Sequence, residues 1–281
     1  MEMTLNLQST VTLHNGVKMP WFGLGVFQVS EGDEVYNSVK WALEHGYKSI
    51  DTAKAYRNEE GVGKAIRDSG IPREELFITT KVWNRDQGYE STLEAFEGSM
   101  ERLGLEYLDL YLIHWPVPKL NKYKETWKAL EKLYKEGRIR AIGVSNFKEH
   151  HLDDLLSEAE VVPMVNQVEF HPHLQQNSLR EYCKKHQIQL EAYSPLKQGH
   201  LLDEPILEEI AKRHGKSTAQ VVLRWDLQSE VVTIPKSVKK QRIEDNADIF
   251  DFELSEEEME QIASMNKDER LGSDPDDFNK Y

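Results

Sequence analysis

Cysteine is almost missing from this chain. Cys183 stands alone, so no internal disulfide can form, and it lies in the polar, helical stretch "LREYCKKH". A reducing, cytoplasmic home is therefore expected. Long apolar runs are missing too. None approaches the roughly 20 residues needed to cross a bilayer, and the opening "MEMTLNLQST" has no basic segment followed by an apolar core. Neither a membrane partner nor a secretory signal is expected. Positive charge is scarce: 35 Lys and Arg stand against 49 Asp and Glu, a net charge of −14. Such a chain repels phosphate backbones, which argues against nucleic acid as a main partner. Any anion it binds needs a local basic pocket. No G-x-G-x-x-G follows a strand, so a Rossmann site is not indicated. No heptad seam is readable, and a monomer is expected.

What is present suits a soluble, folded protein. Apolar residues make up 39 % and charged residues 30 % of the 281, enough apolar content to build a core. Near the start, Asn15-Gly16 lies between two apolar runs, the signal of a hairpin. Beyond it, short apolar runs alternate with amphipathic helical stretches. The runs are "FGLGVF", "YKSID", "LFITTKVW", "LDLYLIHW", "RAIGVSNF", "MVNQVEF", "QLEAYSPL" and "VVTIPKS". Most are continuous rather than alternating, as expected of a parallel sheet covered on both faces. The helical stretches carry their own signals. "YKETWKALEKLYKEG" places Tyr123, Trp127, Leu130 and Tyr134 on one face and stops at Gly137. Ser217 with Gln220, and Ser255 with Glu258, have capping-box spacing. No linker or change of composition divides the chain. The reading is an α/β fold, one (β/α)8 TIM barrel with an N-terminal β-hairpin over residues 1–281; the alternative is a doubly wound sheet with a small second domain.

In such a barrel the site forms at the carboxyl ends of the strands. Those ends carry Asp51, Lys81, His114, Ser145-Asn146, then Asn166, Gln167 and Glu169, then Tyr193-Ser194 and Lys236-Ser237. Strand ends are often polar simply because they meet water. An Asp, a Lys, a His and the nearby Tyr56 arriving from three adjacent strands are harder to explain that way. A charge near the end of a buried run is costly unless paired, and Asp51 with Lys81 would make the pair. An ammonium beside a phenol favours the phenolate, which predicts a Tyr56 pKa below the ordinary value of about 10 and makes Tyr56 a usable proton donor. The relay runs Asp51 to Lys81 to Tyr56, and a neutral His114 can steer a substrate oxygen. This is equipment for protonating an oxygen while something else delivers hydride. Lys54 lies close in sequence but in a loop, and is expected at the surface.

Other signals carry less. "HPH" at 171–173 has superficial metal-ligand spacing, but its proline and the lack of partners make it a loop. His150-His151 opens a helix and is expected to be solvated. Glu169 can be imagined in a glycosidase-like pair, yet its best partner, Asp51, suits Lys81 better.

These residues closely resemble the aldo-keto reductases, from the hairpin to the C-terminal tail. "GYKSIDTAKAYRNEEGVGKAI" resembles the family signature, "LDLYLIHWP" the segment of the active-site His, and "AIGVSNF" and "MVNQVEFHP" the carboxamide-binding strands. "IPKS" followed by "RIEDN" resembles the cofactor phosphate and adenine motif. The resemblance implies a tetrad of Asp51, Tyr56, Lys81 and His114. It implies that Ser145, Asn146 and Gln167 hold a nicotinamide amide and that Tyr193 stacks on the ring. It implies further cofactor contacts at Ser194, Pro195 and Leu196, and at Lys236, Ser237, Val238, Arg242, Asp245 and Asn246. Cations at Lys236, Lys239, Lys240 and Arg242 in a chain of net −14 suit a 2′-phosphate, so NADPH is preferred over NADH. Phe27, Trp83 and Trp115 sit just beyond strand ends, where they and His114 can line a substrate pocket. In several relatives the first position is a tryptophan. The short segments after "HWP" and "KDER" predict an open pocket. Within the family, the chain is most similar to bacterial glyoxal and methylglyoxal reductases and 2,5-diketo-gluconate reductases. The implied activity is NADPH-dependent reduction of small aldehydes and ketones to alcohols. The alternative is a cofactor-binding regulatory subunit of the same fold.

Overall fold

The Asn15-Gly16 turn does join two strands, β1 (Thr10–Thr12) and β2 (Lys18–Pro20), paired antiparallel with Val11 opposite Met19. This structure is a computed structural model and describes residues 5–281. The hairpin lies across the amino-terminal end of a barrel. Its Asn15 Nδ2 donates to the Arg140 carbonyl at 3.0 Å and its Leu13 and Met19 are buried.

Eight parallel strands follow in sequence order: β3 (Leu24–Gly25), β4 (Ser49–Asp51), β5 (Phe77–Val82), β6 (Leu108–Ile113), β7 (Ile139–Ser145), β8 (Val165–Glu169), β9 (Gln189–Tyr193) and β10 (Val232–Thr233). The ring closes between its first and last members. Phe22 bridges Thr233, Gly23 N donates to Thr233 O at 3.0 Å, and Gly25 N donates to Pro235 O at 3.2 Å. Gly25 is required at this seam, because a Cβ there would lie 2.8 Å from the Ile234 carbonyl. The two seam strands are only two residues long although their apolar runs are longer. Pro235 has no N–H to extend the ladder.

Every residue of β5 and β6 is buried, as the continuous apolar runs require of a sheet with side chains inside and helices outside. The helices are α1 (Asp33–Glu44), α2 (Glu59–Asp68), α3 (Tyr89–Leu103), α4 (Tyr123–Lys135), α5 (Glu149–Leu156), α6 (Asn177–Lys185), α7 (Pro205–His214), α8 (Thr218–Gln228), α9 (Lys240–Ala247) and α10 (Glu256–Ala263). Helix α4 buries Tyr123, Trp127 and Leu130 on its inner face. Both capping boxes form: Gln220 N donates to Ser217 Oγ at 3.1 Å and Glu258 N to Ser255 Oγ at 3.2 Å. The fold is a (β/α)8 barrel preceded by a hairpin.

Candidate active site

Strand β4 ends at Asp51, and the chain then makes one 3-10 turn, Lys54–Tyr56. Asn58 fixes that turn from below. Its Oδ1 accepts from Thr52 Oγ1 at 2.6 Å, and its Nδ2 donates to the Val26 and Val29 carbonyls at 2.9 and 3.0 Å. The loop that carries Tyr56 is therefore tied to the loop after β3. Lys81, near the end of β5, is fully buried, and its ammonium finds three acceptors. They are Asp51 Oδ1 at 2.6 Å, the Thr52 carbonyl at 2.9 Å and Tyr56 Oη at 3.3 Å. A buried ammonium with a carboxylate and two neutral oxygens around it is fully satisfied. The pair with Asp51 raises the Lys81 pKa even though burial opposes it.

One expectation is reversed. Burial pushes the Tyr56 phenol upward more than the Lys81 ammonium pulls it down, and Asp51 adds to the rise. Desolvation of the charged form outweighs the single ion contact, so Tyr56 is a protonated phenol at neutral pH. His114 agrees with expectation. Burial, and then Lys81, hold its imidazole well below the ordinary range, so it is neutral. Its ring meets Tyr56 edge-on at 5.7 Å and Trp83 at 5.3 Å.

Tyr56 and His114 open onto a cavity of about 1470 Å³. Ser145, Asn146, Gln167 and Tyr193 form one wall of it. Tyr193 Oη donates to Asn146 Oδ1 at 2.6 Å, Asn146 Nδ2 donates to the His114 carbonyl at 3.0 Å, and Ser145 Oγ donates to the Gln167 carbonyl at 2.7 Å. Asn146 has a φ of 61°, a left-handed conformation that asparagine tolerates. The wall continues through Ser194, Pro195 and Leu196 to Lys236, Ser237, Arg242, Asp245 and Asn246. Among the described residues, neither Lys236 nor Arg242 has an acidic partner within ion-pair distance. Val238 does not line the cavity and is half-buried against the core.

Phe27, Trp83 and Trp115 also line the cavity. Phe27 is 47 % exposed and packs 5.2 Å from the Tyr56 ring. The C-terminal tail supplies a further aromatic that the sequence reasoning missed, because a tail shows no periodicity. Phe278 stacks on Trp115 at 4.0 Å. The tail is held by buried Glu169, which accepts from Leu271 N and Gly272 N at 2.7 Å each, and by Lys148, which contacts Asp274 at 2.6 Å. The tail thus adds Phe278 to the aromatic lining of the pocket.

Two smaller expectations are refined. Lys54, expected at the surface, is partly exposed and pairs with Asp86 at 2.5 Å. His151 is buried and caps α5, with Nδ1 accepting from Lys148 N at 3.0 Å. His150, His151 and Asp276 lie close enough together to suggest a metal site. However, His151 already uses its Nδ1 lone pair, so an Nε2–metal bond would demand an imidazolate, and Lys148 lies 2.8 Å from Asp276. The cluster is a tail latch. The second missed residue is Glu191, a charged side chain inside the apolar run "QLEAYSPL" and 1 % exposed.

Residues 22–267 match the Aldo/keto reductase family. The chain belongs to this family. A glyoxal reductase of Bacillus subtilis (strain 168) is 66 % identical over 276 residues, covering 98 % of this chain and 99 % of that protein. The methylglyoxal reductase DkgA of Escherichia coli (strain K12) is 48 % identical, covering 96 % and 98 %. The crystal structure of a Gox0644 mutant in complex with NADPH has a TM-score of 0.93 and 46 % identity, covering 98 % of this chain and 99 % of that one. Within this chain Asp51, Tyr56, Lys81 and His114, the residues of the sequence-predicted tetrad, lie together at the barrel mouth.

Proposed function

We propose that this aldo-keto reductase, working as one domain, reduces small aldehydes and ketones, including glyoxal and methylglyoxal, to alcohols with NADPH. The observation that carries the reading is the buried Lys81 ammonium, which joins the Asp51 carboxylate to the Tyr56 hydroxyl at the edge of an aromatic-walled cavity. The relatives named glyoxal reductase and methylglyoxal reductase support the substrate class.

The donor set fits a nicotinamide dinucleotide phosphate. Lys236 and Arg242 are cations with no acidic group within ion-pair distance among the described residues, beside the hydroxyl of Ser237 in an acidic chain. They suit the 2′-phosphate, while Asp245 and Asn246 suit the adenine end. Ser194, Pro195 and Leu196 line the path between the two ends. Gln167 Oε1 has no protein donor among the described residues, so it can accept from a carboxamide that Ser145 and Asn146 also face. Tyr193 offers its ring as a stacking surface. When bound, NADPH supplies the hydride.

The protein's own residues do the rest. Phe27, Trp83 and Trp115 exclude water from the substrate and give it an apolar wall. Neutral His114 orients the carbonyl oxygen toward Tyr56. The Tyr56 hydroxyl gives its proton to that oxygen as negative charge develops there, and Lys81 stabilises the phenolate left behind. Asp51 keeps Lys81 charged and in place. The protonated resting state of Tyr56 suits this role as an acid. The buried thiol of Cys183, pushed up to about 12 by burial, is inert and fits a reducing cytoplasm. A panel of aldehydes with NADPH consumption as readout tests the reading. NADPH binding with no turnover of any carbonyl would favour a regulatory subunit instead.

A further inference from the structure

The chain of polar contacts behind Tyr56 does not stop at Asp51. Asp51 Oδ2 accepts from Gln167 Nε2 at 2.7 Å, and the same nitrogen donates to Glu191 Oε1. Since Asp51 is already paired with an ammonium, the Gln167 atom between the two carboxyls must be the nitrogen. This turns the amide oxygen away from both acids. Strands β8 and β9 set the geometry, with Gln167 directly opposite Glu191 in register, and all the members lie inside the barrel.

We propose that Glu191 is a positioning residue of the reductase site: its carboxyl holds the Gln167 amide against Asp51 and closes the buried chain behind Tyr56. The inference rests on the proposed roles of Tyr56 as proton donor and Gln167 as nicotinamide contact. Glu191 touches neither the substrate nor the reacting atoms, and acts through the residues between.

The charge count gives this contact a consequence. The groups facing Glu191 are Asp51 from β4, Lys81 from β5, Gln167 from β8 and, further along, Tyr56; its register neighbour on β10 is Val232. There are two carboxyls and one ammonium, so ionising both acids leaves the buried chain with a net negative charge. Asp51 touches Lys81, so the extra proton resides on Glu191, whose carboxyl is pushed up to about 8, first by burial and then by Asp51. When Glu191 does ionise, its charge opposes formation of the Tyr56 phenolate. The phenol therefore stays protonated to higher pH, which extends reduction into the alkaline range and delays the reverse oxidation, which needs the phenolate as base.

Two variants test the proposal. Glu191→Gln keeps the shape and an acceptor for Gln167 but removes the ionisable charge. The alkaline limb of the pH profile for aldehyde reduction should move to lower pH, by about half a unit or more. A merely structural glutamate would not move that limb, and a limb coinciding with wild type overturns the tuning. Glu191→Ala removes one of the two acceptors of Gln167. NADPH affinity, measured by fluorescence, should fall by about tenfold, with Glu191→Gln rescuing it. Unchanged affinity in Glu191→Ala overturns the positioning role. The affinity measurement does not need turnover, so it decides the role of Glu191 even if wild type reduces no carbonyl and the proposed substrate class fails.

Discussion

Lys81 is tightly constrained, because it is a charged side chain with no solvent exposure. Its removal leaves Asp51 buried without its cation. Lys81→Met should therefore cost about 3–5 kcal/mol of stability, read as a lower midpoint in urea unfolding, as well as reductase activity. A midpoint equal to wild type would show that Asp51 finds another partner. Arg242 makes a different prediction. It is exposed and has no acidic partner among the described residues, so Arg242→Ala should leave stability unaltered. Affinity for NADPH should fall by about 1.5–3 kcal/mol, the value of a charge-assisted hydrogen bond, while affinity for NADH hardly changes. Equal losses for both would refute the 2′-phosphate assignment. At this scale much was legible in the sequence. Asp51, Tyr56, Lys81 and His114 stand at or just past the ends of apolar runs, where an unpaired charge is costly. Glu191 obeys the same logic, but it lies within its run rather than at the end. The direction of the Tyr56 shift was not legible, because desolvation depends on how deeply the phenol sits.

Among the elements, the barrel strands were the most readable and the segments that close the mouth the least. Continuous apolar runs identify a covered parallel sheet, and the Ser217 and Ser255 caps fix two helix starts. The hold on the tail comes from contacts far apart in sequence, such as Glu169 with Gly272, which no local pattern reports. Helix α5 shows the same limit. His151 is buried against the tail, and burial, with His150 adding to it, holds its imidazole down to about 4, against an ordinary value of 6.5. Between those two values the unfolded chain binds a proton that the folded one refuses. Stability therefore falls as the pH drops through that window. His151→Gln, which cannot titrate, should show a shallower loss of melting temperature from pH 6.5 to 4 than wild type. Parallel curves would mean that His151 titrates freely in the folded protein.

For the whole molecule, the (β/α)8 ring gathers residues from the ends of all eight strands onto one cavity, which is why isolated stretches of the sequence look ambiguous and the set does not. The ring has no open sheet edge, since β3 and β10 meet, so strand addition to the barrel offers no route to association. Sedimentation equilibrium should accordingly give a monomer near 32.7 kDa; a mass twice that would contradict this expectation. No helix among the described residues is long and apolar enough to cross a membrane. The central claim is that one buried chain, Asp51 to Lys81 to Tyr56, supplies the proton for carbonyl reduction. The most direct measurement is steady-state NADPH oxidation with methylglyoxal, comparing wild type with Tyr56→Phe. Wild type should turn over, and the variant, which keeps the ring but lacks the acidic hydroxyl, should lose about 10²–10⁴-fold in kcat. A Tyr56→Phe enzyme with wild-type kcat would contradict the account.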